Sequence, residues 1–192
     1  TNPTIDVSSL LSEVSNIPQM TINTSLANVY IPATTVTSSD PYWNGIFEAP
    51  RITTVTLPTT AGSVNTLGVA IEIGLPDYTL TFGKGVKIIF PNQANKKVGF
   101  VRPGQAFTEI TTICSANDQT VGDALAADGQ CKINVGSDMV VWTKHFSKYA
   151  TYSTNGVPNT GLKSQNIRFD GAMLIVGLLV VAGALRFSYR KN

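Results

Sequence analysis

From Tyr42 to Tyr152 the chain is a succession of short runs rich in Val, Ile, Thr and aromatic residues, each closed by Gly, Pro, Asn or Asp. The runs are RITTVTLP, LGVAIEIG, YTLTFGKG, VKIIFP, AFTEITTIC, CKINVG and DMVVWTKHFSKYATYS. β-branched and aromatic side chains favour a pleated, half-buried surface, and the closing residues supply turn dihedrals. Alternation is clearest in GVAIEIG, where Val69, Ile71 and Ile73 share a face opposite Ala70 and Glu72, and it recurs at Ile133 and Val135. The expected fold class is all-β. About seven to nine such strands without intervening helical periodicity describe an antiparallel β-sandwich, immunoglobulin-like or related, over residues 41–153. An open barrel is the alternative.

Residues 1–40 read as an N-terminal extension. IDVSSLLSEVSNI has the look of one short helix, and MTINTSLANVYIPATTV the β-branched content of a strand or two. Asn23, Thr24 and Ser25 form an acceptor pattern for N-glycosylation. Beginning at Thr1 with neither Met nor an apolar leader, the sequence reads either as processed or as cut from a longer polypeptide.

Charged residues make up 14% of the chain, against about 25% in ordinary soluble domains. That weakly charged, Ser- and Thr-rich surface is common in secreted β proteins. The formal charge of +2 comes from scattered cations and argues against a nucleic-acid partner; the one tight cluster is Arg186, Arg190 and Lys191. Cys114 and Cys131 are expected to pair, closing a loop worth about 3 kcal/mol in the chain-entropy account. Two buried free thiols in a cytosolic protein are the alternative.

Between the cysteines, SANDQTVGDALAADGQ reads as a loop with one helical turn at GDALAAD. Asp118, Asp123 and Asp128 fall there at intervals of five, unlike the alternate-position spacing of calcium loops, so a solvated acidic loop is expected and no metal. A single His excludes histidine metal clusters. FGKGVK lacks the third Gly of a phosphate-cradling loop, and no nucleophile elbow is present. The expectation is a non-enzymatic protein without cofactor.

His145, Phe146 and Ser147 form one motif with chemical content. The tripeptide is similar to the cleavage site of self-processing surface domains, including the adhesion-receptor type. The resemblance implies that His145 takes the Ser147 hydroxyl proton and that the hydroxyl attacks the Phe146 carbonyl in an N-to-O acyl shift. The flanking Cys pattern of the adhesion-receptor site is absent. The competing reading, placed first, is an ordinary closing strand with Phe146 inward on the parity of Ala150 and Tyr152, and with Lys144 and Lys148 at its edge.

The C-terminal segment bears on location. Residues 171–185 are an apolar run of about 22 Å as a helix, short of the roughly 30 Å of a bilayer core. Extended to residue 186, it is the expected transmembrane helix, and residues 187–192 are a basic tail held cytoplasmic by the positive-inside rule. Upstream stand Val157, Pro158, Asn159, Thr160 and Gly161, within a linker of residues 154–170. Motif, spacer, apolar run and basic end together resemble the cell-wall sorting signal of Gram-positive-type surface proteins, LPxTG, with Val157 in place of Leu. The resemblance implies a sortase that cleaves after Thr160 and joins the new carboxyl to peptidoglycan. A permanent membrane anchor is the alternative.

The partners expected are therefore the membrane, a sortase with peptidoglycan, and an extracellular ligand. Tyr42, Trp43 and Phe47 form a candidate contact face, more simply read as packing residues. Lys96 and Lys97 are candidate acceptors for sortase-built polymerisation. The leading expectation is a cell-surface structural or adhesive protein, with self-cleavage between Phe146 and Ser147 as the second.

Overall fold

The computed structural model describes residues 2–11 and 16–156. The expectations placed on Val157 to Gly161, on the apolar run 171–186 and on the basic tail lie outside the described residues.

Two antiparallel sheets pack face to face. The first has the order β1 (Thr4–Asp6), β6 (Ile46–Ile52), β7 (Ser63–Gly74), β13 (Lys148–Gly156), β9 (Lys97–Val101), β10 (Thr108–Glu109). The second runs β11 (Gln130–Val135), β12 (Asp138–His145), β8 (Leu80–Phe90), β4 (Asn28–Ile31), β3 (Met20–Asn23). In the second sheet β5 (Thr34–Ser38) also pairs with β8, and β2 (Asn16–Ile17) pairs with β5. Two single-turn helices, α1 (Ser8–Leu11) and α2 (Gln119–Asp123), complete the described residues.

The core lies between the sheets. Leu80, Phe82, Val86, Ile88 and Phe90 of β8 point into it at even positions, against Phe47 of β6 and Ile71 and Ile73 of β7. The alternation expected at GVAIEIG thus delivers Ile71 and Ile73, with Glu72 on the other face. Strand β12 is covered on both sides. Met139 and Val141 enter the main core, while Val140 and Trp142 join Cys114 and Cys131 in a second cluster beneath α2. That double burial explains the unbroken apolar run MVVW, where a strand with one wet face would alternate.

Residues 4–38 correct the expected N-terminal extension. They supply strands to both sheets, and Val7, Ile17, Val29, Ile31 and Val36 belong to the main core. Their polar neighbours hid them: in β4 only Val29 and Ile31 are buried, which is one side of a four-residue strand. In IDVSSLLSEVSNI the described residues form β1 on β6, the helix α1 at Ser8–Leu11, and β2 at Asn16–Ile17.

The segment FGKG is likewise no turn. YTLTFGKG and VKIIFP form the one strand β8, and the pairing with β12 jumps from Thr143↔Val86 to His145↔Thr81, a bulge at Gly83, Lys84 and Gly85. Side chains occupy the displaced backbone groups. Lys84 N donates to Thr34 Oγ1 at 2.9 Å, Gly85 N donates to Asp123 Oδ1 at 2.8 Å, and Gln119 Nε2 donates to Gly85 O at 2.9 Å. A Cβ on Gly85 would stand 2.4 Å from the Gly122 carbonyl carbon, so the glycine serves the close approach of α2 to β8. RITTVTLP ends as a strand at Ile52, and AFTEITTIC keeps only β10 and a bridge from Ile113 to Lys132.

Candidate functional site

The chain changes sheets at His145, Phe146 and Ser147. Strand β12 ends at His145 in the second sheet, and β13 starts at Lys148 in the first. Phe146 N donates to Leu80 O at 2.9 Å and Ile73 N donates to Ser147 O at 3.2 Å, so the crossing peptide is tied to both sheets. This corrects the expected parity: Phe146 and Tyr149 enter the main core, whereas Ala150 and Tyr152 lie outside that cluster. Tyr152 instead meets Phe107 edge-on, with ring centroids 5.5 Å apart.

All three residues of the motif are buried, at 5% exposure or less. His145 Nδ1 and Ser147 Oγ are hydrogen-bonded at 2.9 Å. Tyr149 Oη donates to His145 O at 2.7 Å and lies 3.2 Å from Thr143 Oγ1. Gln130 Nε2 donates to Asp128 O at 2.5 Å and also contacts His145 Nε2. An amide nitrogen facing a carbonyl oxygen must be the donor, so His145 Nε2 accepts and Nδ1 carries the proton that goes to Ser147.

Burial, and then the Arg102 guanidinium, push the His145 imidazole down to about 4. The ring is therefore neutral at pH 7. Its centroid lies 5.2 Å from that of the tilted Phe100 ring and 6.3 Å from that of the stacked Tyr149 ring. Ser147 lines a cleft of about 180 Å³ with Glu72, Asp77, Arg102, Gln105 and Lys148. Within it Glu72, 5% exposed, is held by Arg51 Nη2 at 2.5 Å and faces Lys148 Nζ at 3.7 Å.

Neither a family model, nor a curated protein, nor a solved structure matches the chain. The residues themselves must carry the reading.

The three loop aspartates do not converge. Asp118 caps α2 by accepting from Val121 N at 3.0 Å, Asp123 holds the β8 bulge, and Asp128 pairs with Arg102 at 2.9 Å. Among the described residues no three His, Cys, Asp or Glu gather at metal-binding distance. Among the same residues no helix is long and apolar enough to cross a membrane. The aromatic stretch divides: Tyr42 is 90% exposed, Trp43 donates from Nε1 to Ile46 O at 2.7 Å, and Phe47 is buried. Lys97 pairs with Glu109 at 3.4 Å, and Lys96 N donates to Gln93 O.

Cys114 and Cys131 form the expected disulfide, with Cα atoms 5.1 Å apart and both residues buried against Trp142. It anchors the loop that bears α2. Replacing both cysteines with alanine should lower unfolding free energy by about 3 kcal/mol, read as a fall in the urea midpoint. A midpoint unchanged within error would mean that α2 is held by Trp142 and the bulge alone.

The sequence signalled the motif through its only His, but gave no sign of Gln130, Thr143 or Tyr149. Those residues are 15, 2 and 4 positions from His145: Gln130 reaches it because β11 pairs with β12, Thr143 lies on the same strand, and Tyr149 comes from β13 beyond the crossing. Nothing in their local spacing marks them.

Proposed function

We propose that the chain is a non-enzymatic structural or adhesive protein of the cell surface, exported and tethered through its C-terminal segment as a sortase substrate. The finer fold assignment, an immunoglobulin-like or related sandwich, belongs to the same reading. The observation that carries it is the closed, buried Cys114–Cys131 disulfide, since such bonds persist in oxidising compartments. The sequence adds the sorting-like order of VPNTG, apolar run and basic end directly after β13. Tyr42, standing almost free at one loop, is the natural contact residue for an extracellular ligand.

Mass spectrometry of the C-terminal peptide from the native envelope tests the tether. A chain that ends at Thr160 and carries a wall fragment is expected. A chain still ending at Asn192 would remove the sortase and leave a membrane anchor.

A second reading is favoured by one contact, the 2.9 Å bond between His145 and Ser147. In it Ser147 Oγ attacks the Phe146 carbonyl, His145 takes the hydroxyl proton and returns it to the departing amide nitrogen, and water from the cleft hydrolyses the ester. It stands second for two reasons. The bonded tautomer has Nδ1 as donor, so Gln130 must first turn its amide oxygen toward Nε2. Moreover, the only non-glycine residues with positive φ among those described are Asn92 and Asn95, well away from this peptide. On a denaturing gel the native protein should run as one chain. Two fragments that vanish in Ser147→Ala would overturn that order.

A further inference from the structure

The notable surface feature outside the crossover is the hairpin of β3 and β4, which ends one sheet. Among the described residues strand β3 is the terminal strand there and pairs only on its β4 side, from Met20↔Ile31 to Asn23↔Asn28. Met20 and Ile22 pack against the main core, while Thr21 and Asn23 face outward and are exposed. An open strand edge is a template for pairing with another chain, and proteins usually blunt it with charge. Strand β3, Met-Thr-Ile-Asn, carries no charge.

The turn that follows is held by Thr24. Its Oγ1 donates to Ala27 O at 2.8 Å and accepts from Leu26 N at 3.2 Å and Ala27 N at 3.1 Å; Thr24 N also donates to Ala27 O at 3.2 Å. Thr24 is thus spent on the turn, and Ala27 is fully buried beneath it. Its two neighbours are left to solvent: Asn23 on one side and Ser25 on the other are both exposed. Together they are the acceptor amide and the hydroxyl residue two positions on that N-glycosylation requires. Asn2 is excluded as a second acceptor because Pro3 occupies the middle position, and no other Asn has Ser or Thr two residues later.

From this placement we infer that Asn23 is an N-glycosylation site and that its oligosaccharide shields the open edge of β3. The inference rests on the exported reading above. The donor is a lipid-pyrophosphate-linked oligosaccharide. The Asn23 Nδ2 forms a bond to the anomeric carbon, the bond from that carbon to the pyrophosphate oxygen breaks, and Nδ2 loses one proton as the lipid pyrophosphate leaves. A bulky, hydrated group at the last residue of the edge strand keeps a second sheet edge at a distance, as charge does elsewhere. It fits without rearrangement, since Asn23 projects from a turn whose own bonds do not involve its side chain.

The test uses the native protein from its own envelope. Cleavage before Asp6 and before Asp40 releases residues 6–39, which contain this acceptor and no other. The expected result is a peptide heavier by a whole number of sugar residues, with fragment ions placing them on Asn23. Ser25→Ala should abolish the increment and Ser25→Thr should keep it, each with an unchanged thermal midpoint. An unmodified peptide from a chain whose Cys114–Cys131 bond is oxidised would overturn the inference and leave export standing. An unmodified peptide with reduced thiols would overturn both. Sugar confined to Ser or Thr, or retained on Asn23 in Ser25→Ala, would also overturn it.

Discussion

Replacing Phe146 with alanine should lower the unfolding free energy by about 3–5 kcal/mol. The ring sits at the crossing from β12 to β13 and touches an aromatic partner from each sheet. Its centroid is 5.8 Å from that of Phe47 in β6 and 4.6 Å from that of Phe82 in β8, the latter edge-on. The Cβ that Gly74 lacks would sit 3.0 Å from Phe146 Cβ, so the backbone of β7 closes over the same side chain. Collapse into the vacated space would require the sheets to move together, and the hydrogen bonds of Phe146 N and Ser147 O resist that. Such a loss is about a fifth or more of the total for a domain with about 5–15 kcal/mol of stability. Urea denaturation followed by Trp fluorescence checks it, with Tyr42→Ala as an exposed control expected within about 0.5 kcal/mol of the parent. A loss below about 1 kcal/mol for Phe146→Ala would mean the sheets are held together elsewhere.

Acid should weaken the same region. In the folded chain the His145 pKa lies at about 4, below its ordinary 6.5. Between those values the unfolded chain binds a proton that the folded chain refuses, so stability falls as pH is lowered. The contribution is full above 6.5 and is lost through the window down to about 4, amounting to about 3 kcal/mol at 1.36 kcal/mol per pK unit. Arg102 repels the imidazolium while Asp128 offsets part of that repulsion, and Gln130 and Ser147 occupy the two ring nitrogens. Carboxylates also titrate in this range, so the measurement is a comparison. Urea stabilities at pH 7 and pH 4 for the parent and for His145→Gln should differ in slope, the parent losing about 3 kcal/mol more. Parallel slopes would show that the imidazole is hydrated in the folded state.

Much of this architecture was legible from local pattern. Ile71 and Ile73 fell on the core side as their alternation required, and Cys114 with Cys131 closed the loop that their spacing allowed. What stayed hidden depended on contacts distant in sequence. Gly85 has the same appearance in a turn as in a strand approached closely by another backbone; only α2, some 34 to 38 residues on, separates the two. Period-two alternation reports which face a side chain takes but not which sheet the strand joins. The passage between sheets at Phe146 therefore left no mark in KHFSKY, and the parity beyond it was misplaced. Val135 shows the limit of alternation from the other side: it follows Ile133 in phase, yet at 42% exposure it has run past the packed region. The strands of residues 4–38 were missed for a related reason. Val7, Ile17 and Val36 stand in polar surroundings, and each is fixed by a segment later in the chain: Val7 by Gly45, Ile17 by Thr34 and Val36 by Phe82.

Strand β13 has one more consequence, concerning force. It is an interior strand, flanked by β7 along Lys148–Gly156 and by β9 along its first half, and it is the last described element of the chain. A pull on the chain beyond Gly156 along the strand axis enters an antiparallel ladder sideways. Its hydrogen bonds then share the load, whereas a pull across the strands opens them one after another. At the inner end of β13 the load passes through Phe146 to the second sheet. A chain held from that end is gripped by the middle of its fold.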